Sequence, residues 1–126
     1  MTEDSPQHEV LLISADLFLG SRIQGAVTAK GASLRTVARG ESAIEQLGES
    51  NFALVLIDLE TPGLDIVRVA EGANVRHATP TVAYGPHVKE RLLIAAKEAG
   101  CTEVLSRGKF DATIGELLNR HLPSNK

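Results

Sequence analysis

Apolar and polar positions alternate between two periods along this chain. The run "EVLLISA" (9–15) is nearly continuous in apolar residues and of strand length. It leads into "DLFLGSRIQGAVTAKG", where Leu19, Ile23 and Ala26 fall at helical spacing and Gly31 supplies a stop. "ASLRTVA" (32–38) alternates like an edge or half-buried strand, and "GESAIEQLGESN" (40–51) places Ala43, Ile44 and Leu47 on one helical face. "FALVLID" (52–58) has the strongest buried-strand character. A turn follows, then a helix over "TPGLDIVRVAEGANVRH" with Val67 and Ala70 inward. "TPTVAYG" (79–85) is a fourth strand. "PHVKERLLIAAKEAG" (86–100) reads as a helix opened by proline and closed by glycine, with Leu92, Ala95, Ala96 and Ala99 on one face. "TEVLSRG" (102–108) is a fifth strand, and "FDATIGELLNRHL" (110–122) a last helix with Ile114, Leu117, Leu118 and His121 on one face.

The order is βα repeated five times. Strands that are apolar on both faces are covered on both faces, so the pattern predicts a parallel sheet between two helix layers. Five such units fit an α/β flavodoxin-like doubly wound sandwich, a (βα)5 fold with strand order 2-1-3-4-5. In that order a site forms beyond the carboxyl ends of strands 1 and 3. Ser14, Ala15 and Asp16, then Asp58, Gly85 and Arg107, fall at strand ends and are predicted to converge there.

Composition narrows the class. The chain has 126 residues, 43% hydrophobic and 23% charged, which suits one globular domain over 9–122 with loose tails at 1–8 and 123–126. Aromatics are only 3%, so the core must come from Val, Leu, Ile and Ala. A net charge of −3 and the lack of a basic run argue against direct nucleic-acid binding. The single cysteine, Cys101, excludes a disulfide framework and reads as a buried inert thiol. His8, His77, His87 and His121 are spread without metal-ligand spacing. The opening "MTEDSPQHE" resembles neither a signal nor a transit peptide, and no apolar run reaches membrane-spanning length, so the expected setting is cytoplasmic. "GSRIQG" lies inside the first helix and is not a phosphate loop.

The stretch "LVLIDLETPGLD" (54–65), with "EAGCTEVLSRGKF" around the fifth strand, resembles the receiver domain of two-component response regulators, over roughly residues 9–122. The resemblance implies a domain that takes a phosphoryl group from a histidine kinase onto the aspartate ending strand 3. It implies Mg²⁺ held partly by two acidic residues after strand 1, a hydroxyl ending strand 4 and a lysine ending strand 5. It also implies an output surface made by the fourth helix, fifth strand and fifth helix. The carboxylate would act as nucleophile, and the metal would offset the crowded negative charge.

Only the phosphoacceptor position, Asp58, matches. The acidic pair falls on Ser14 and Ala15, with Asp16 one residue late and able instead to cap the first helix. The hydroxyl position is Gly85, the lysine position is Arg107 followed by Gly108 where the family usually has proline, and the aromatic switch position is Val104. The groups left to hold a metal are Asp16, Asp58 and the Glu60 backbone carbonyl; the Glu60 side chain reads as solvated. Arg107 either pairs with Asp58 as a standing lock or is a solvated surface arginine. Tyr84 either fills space beside Gly85 or displays its hydroxyl at the site; packing is the preferred reading.

The resulting expectation is a pseudo-receiver: a non-enzymatic, phosphorylation-independent interaction module without a cofactor, contacting a signalling protein or a second copy through the fourth helix–fifth strand–fifth helix face. Two alternatives stand beside it. One is a phosphorylatable receiver that uses Asp58 with Mg²⁺ and a histidine kinase partner. The other is a flavodoxin-like domain binding a small anionic ligand at the strand ends.

Overall fold

The structure is a computed structural model that describes residues 8–122. His8 apart, the tails expected at 1–8 and 123–126 lie outside the described residues. The elements are β1 (Glu9–Ile13), α1 (Leu17–Ala29), β2 (Ser33–Val37), α2 (Gly40–Glu49), β3 (Leu54–Asp58), α3 (Ile66–His77), β4 (Thr81–Gly85), α4 (Glu90–Glu98), β5 (Glu103–Ser106), α5 (Arg107–Ala112) and α6 (Ile114–His121). All strand pairs are parallel, and the sheet order is β2-β1-β3-β4-β5, as the apolar pattern predicts.

The two-residue period of each strand divides the interior into two cores. Val10 and Leu12 of β1, Leu54 and Leu56 of β3, and Val82 and Tyr84 of β4 face α1, α5 and α6. There they meet Leu19, Ile23, Val27, Phe110, Ile114, Leu117 and Leu118. The intervening residues Leu11, Ile13, Val55, Ile57 and Ala83 face α2, α3 and α4, against Ala43, Leu47, Val69, Ala73 and Ala96. Every residue of β3 and β4 is buried, which is why these runs carry almost no polar side chain until Asp58. Truncation of Leu56 or Ile57 to alanine removes core volume worth about 2–5 kcal/mol.

Three helix starts are set by short polar side chains. Asp16 caps α1 by accepting from Leu19 N (3.1 Å), Asp65 caps α3 from Arg68 N (3.2 Å), and Ser106 caps α5 from Lys109 N (3.2 Å). Three expectations are corrected. Pro86 does not open α4: Lys89 N–H closes a turn on Pro86 O at 2.9 Å, and the helix begins at Glu90. The last helix is divided at Thr113, whose backbone leaves helical geometry and whose hydroxyl donates to Lys109 O at 2.7 Å. Val67 is half exposed, because the Asp65 cap phases α3 so that Val69, Ala70 and Ala73 face inward.

Candidate functional site

Strand parity places one row of side chains across the carboxyl edge of the sheet. Asp58 pairs in register with Tyr84 of β4, and β1 pairs with β3 up to Ile13 and Ile57, so Ser14 follows beside Asp58. All three lie on the α1–α5–α6 side, and all are buried.

Asp58 is only 6% exposed, and both its carboxylate oxygens are engaged. Ser14 Oγ–H donates to Oδ2 at 2.8 Å, and Glu60 N–H donates to Oδ1 at 2.9 Å. Ser14 Oγ also accepts from Asp16 N at 3.0 Å, which ties the β1–α1 loop to the same pair. The turn after β3 is held by Thr61, whose hydroxyl lies 2.7 Å from Asp58 O and 3.1 Å from Ile13 O. Gly63 has φ +73, a left-handed conformation that glycine adopts freely.

Arg107 is corrected in both place and partner. It is not the end of β5: the Ser106 cap draws it into the first turn of α5. Its guanidinium donates to Asp16 Oδ2, and among the described residues no hydrogen bond or ion pair joins it to Asp58. The Arg107 hydrogen bond, followed by the Leu19 amide, holds the Asp16 carboxyl below the usual carboxylate range. The expected Arg107–Asp58 lock is therefore not formed; Arg107 instead joins the start of α5 to the start of α1 through Asp16. Asp16 serves as cap and ion-pair partner together, and neither oxygen is free of a donor.

The other predicted positions divide. Ala15 is exposed and adds only a methyl group. Gly85 is buried, and a Cβ there would lie in ordinary contact with Leu59 Cβ at 3.4 Å and Leu93 Cδ2 at 3.8 Å, both in the core on the α3–α4 side of the sheet. Val104 is partly buried against that same core. Glu60 is not merely solvated: its carboxylate pairs with Lys89 at 2.7 Å, bridging the β3–α3 and β4–α4 loops. Sequence marks Thr61-Pro62-Gly63 as a turn but carries no sign of the Thr61 hydroxyl's contacts with Asp58 O and Ile13 O, or of the Lys89–Glu60 pair, each of which depends on how the loops meet.

Tyr84 is the aromatic member of this row. Its ring is 0% exposed and stacked on Phe110, with centroids 4.0 Å and planes 13° apart. Its hydroxyl is buried without a hydrogen-bond partner. Burial, then the Asp58 charge, pushes the phenol well above its usual value; nearby Ser14 opposes this shift, although the pair falls short of hydrogen-bond geometry.

A divalent cation of the receiver type needs hard oxygen ligands, several of them anionic. Here the position beside Asp58 carries a hydroxyl whose proton points at the carboxylate, and the next carries a methyl group. Among the described residues no group of three or more His, Cys, Asp or Glu is placed to hold a metal. The donor set does not fit Mg²⁺. Among the same residues no helix is long and apolar enough to cross a membrane.

No family model matches the chain. Among curated proteins it is 27% identical over 119 residues to the transcriptional activator protein PfeR of Pseudomonas aeruginosa, covering 91% of this chain but 39% of that protein. Among solved structures it resembles the receiver domain of the sensor histidine kinase PA1611 of Pseudomonas aeruginosa, described with a magnesium ion coordinated in the active site cleft. The TM-score is 0.76 at 18% identity, over 92% of this chain and 98% of that one. It also resembles the chemotaxis response regulator CheY4 of Vibrio cholerae, with a TM-score of 0.77 at 17% identity over 93% and 100% of the two chains. The two structural likenesses rest on a shared backbone over nearly the whole chain.

Proposed function

We propose that this chain, which has the receiver fold of two-component response regulators, works as a pseudo-receiver: a signalling domain that binds partners without being phosphorylated on Asp58. One observation carries the reading. Each oxygen of the Asp58 carboxylate already accepts a hydrogen bond, from the Ser14 hydroxyl or the Glu60 amide, and among the described residues no group of three or more acidic, histidine or cysteine side chains is placed to hold a metal. A nucleophilic carboxylate must keep a lone pair open toward phosphorus, and the charge built up in transfer must be offset in place. The two donors to Asp58 draw on the electron density a nucleophile needs, and Ser14 and Ala15 supply no charge to hold a compensating metal; on this reading no residue has a catalytic role.

The proposed contact surface is α4, β5 and the α5–α6 pair. Val88 before α4 is 75% exposed and Ile94 on α4 is 50% exposed, so apolar side chains are accessible on and beside α4. The proposed partner is a signalling protein of the two-component type, a histidine kinase included, or a second copy of the chain, in the cytoplasm. Neither nucleic acid nor membrane is a proposed direct target.

The test is incubation with acetyl phosphate and Mg²⁺, followed by intact-mass analysis. The expected result is no phosphoryl adduct, with Asp58→Asn indistinguishable from the unaltered chain. An adduct that Asp58→Asn abolishes would make the protein a phosphorylatable receiver.

A further inference from the structure

The Tyr84 hydroxyl is the one polar group in this row without a use so far. Phenylalanine would bury the same ring and keep the stack on Phe110 without the desolvation cost of an unmade hydrogen bond. The hydroxyl lies near enough to the groups at the strand ends to feel their charge. Tyr84 is the register partner of Asp58, lies on its face of the sheet, and feels Asp58, Ser14, Arg107 and Asp16. Ser14 Oγ gives one proton to Asp58 and takes one from Asp16 N, which leaves it one acceptor site.

On its other side the ring meets Phe110 of α5. The same short helix begins with Arg107, bound to Asp16. Helix α5 is thus fastened to the site twice, once through an ion pair and once through stacked rings. The receiver-like route on the opposite face lacks both its parts, because Gly85 has no hydroxyl and Val104 no ring.

We propose that Tyr84 is the positioning residue through which the state of Asp58 reaches α5 and α6. When a partner or ligand disturbs the Ser14–Asp58 hydrogen bond, the Tyr84 hydroxyl takes up a hydrogen bond within that pair. The stacked Phe110 then carries the displacement of the ring into α5. This rests on reading the strand ends as the regulatory site, and it moves the output from the α4 side of the sheet to the α5 side.

The test is a cycle of amide NMR spectra. Asp58→Asn is compared with the unaltered chain, and Asp58→Asn/Tyr84→Phe with Tyr84→Phe. In the first comparison amides across 107–121 are expected to shift together with those at 59–61. In the second the 59–61 shifts persist while the 107–121 shifts shrink at least about twofold. Phe110→Leu, which keeps the hydroxyl and removes the stack, is expected to reduce them likewise. Tyr84 is the only tyrosine and the chain has no tryptophan, so near-ultraviolet circular dichroism of the Phe110→Leu variant reports directly on that ring. Equal 107–121 shifts in both comparisons, as transmission through Arg107 alone would give, overturn the proposal; so does their absence from both. No phosphoryl donor is used, so phosphorylation of Asp58 would defeat the proposed function and leave this link standing.

Discussion

At the scale of single residues, burial decides chemistry. Asp58 is ionisable, buried and tied up by two donors, whereas Tyr84 is buried with its donor idle. The Tyr84 phenol pushed up by burial and by Asp58 has a consequence for stability. Below about pH 10, the ordinary phenol value, folded and unfolded chains both keep the proton and Tyr84 adds no pH dependence. Above it the unfolded chain releases the proton while the folded chain holds it, so stability is lost as pH climbs toward the folded value. The urea midpoint of the unaltered chain is expected to fall more steeply above about pH 10 than that of Tyr84→Phe. Phenolate absorbance should appear only with unfolding. Parallel midpoint curves for the two proteins would contradict this account of Tyr84. The sequence pointed to Asp58, because a carboxylate ending an apolar run stands out. It did not reveal the partner of Arg107, which depends on where α5 begins and on the Asp16 cap: a meeting of two residues 91 positions apart.

At the scale of elements, the five strands were legible because each is a short apolar run bounded by polar turns, and a parallel sheet buried on both faces leaves little else for such runs to be. The edges were less legible. Pro86 looks like a helix start until Lys89 closes a turn on it, and the split at Thr113 lies in its backbone, at φ −124 and ψ 18, which its apolar flanks do not announce. The element that most constrains the site is the β3–α3 turn, which abuts the start of α2. Gly40 N donates to Pro62 O at 2.9 Å, and a Cβ on Gly40 would lie 2.1 Å from Gly63 O. Gly40→Ala is therefore expected to displace the Thr61–Leu64 turn and cost about 1–3 kcal/mol in urea unfolding. Gly25→Ala, in α1 with nothing within 4 Å of the new Cβ, is expected to gain about 0.5–1 kcal/mol. If Gly40→Ala proved as harmless as Gly25→Ala, the close approach of α2 to the turn would be refuted.

At the scale of the whole molecule, the proposed pseudo-receiver combines a receiver-like sheet with Ser14 and Ala15 where the family resemblance implies an acidic pair. Reversing the replacement should show its cost. In Ser14→Asp/Ala15→Asp, a second carboxylate is forced beside buried Asp58, and like charges at that distance repel until a cation joins them. The melting temperature of this variant is expected to fall without Mg²⁺ and to recover as Mg²⁺ is added; that of the unaltered chain should ignore Mg²⁺. A variant equally indifferent to Mg²⁺ would mean that the edge of the sheet is not shaped as a receiver cleft. The most direct test of the central claim is an amide NMR titration of the unaltered chain with Mg²⁺ and beryllofluoride, a phosphoryl mimic. The account predicts no saturable shifts at 58–61 or across 107–121, and the same spectrum for Asp58→Asn before and after the additions. Saturable shifts centred on Asp58, absent from Asp58→Asn, would contradict it.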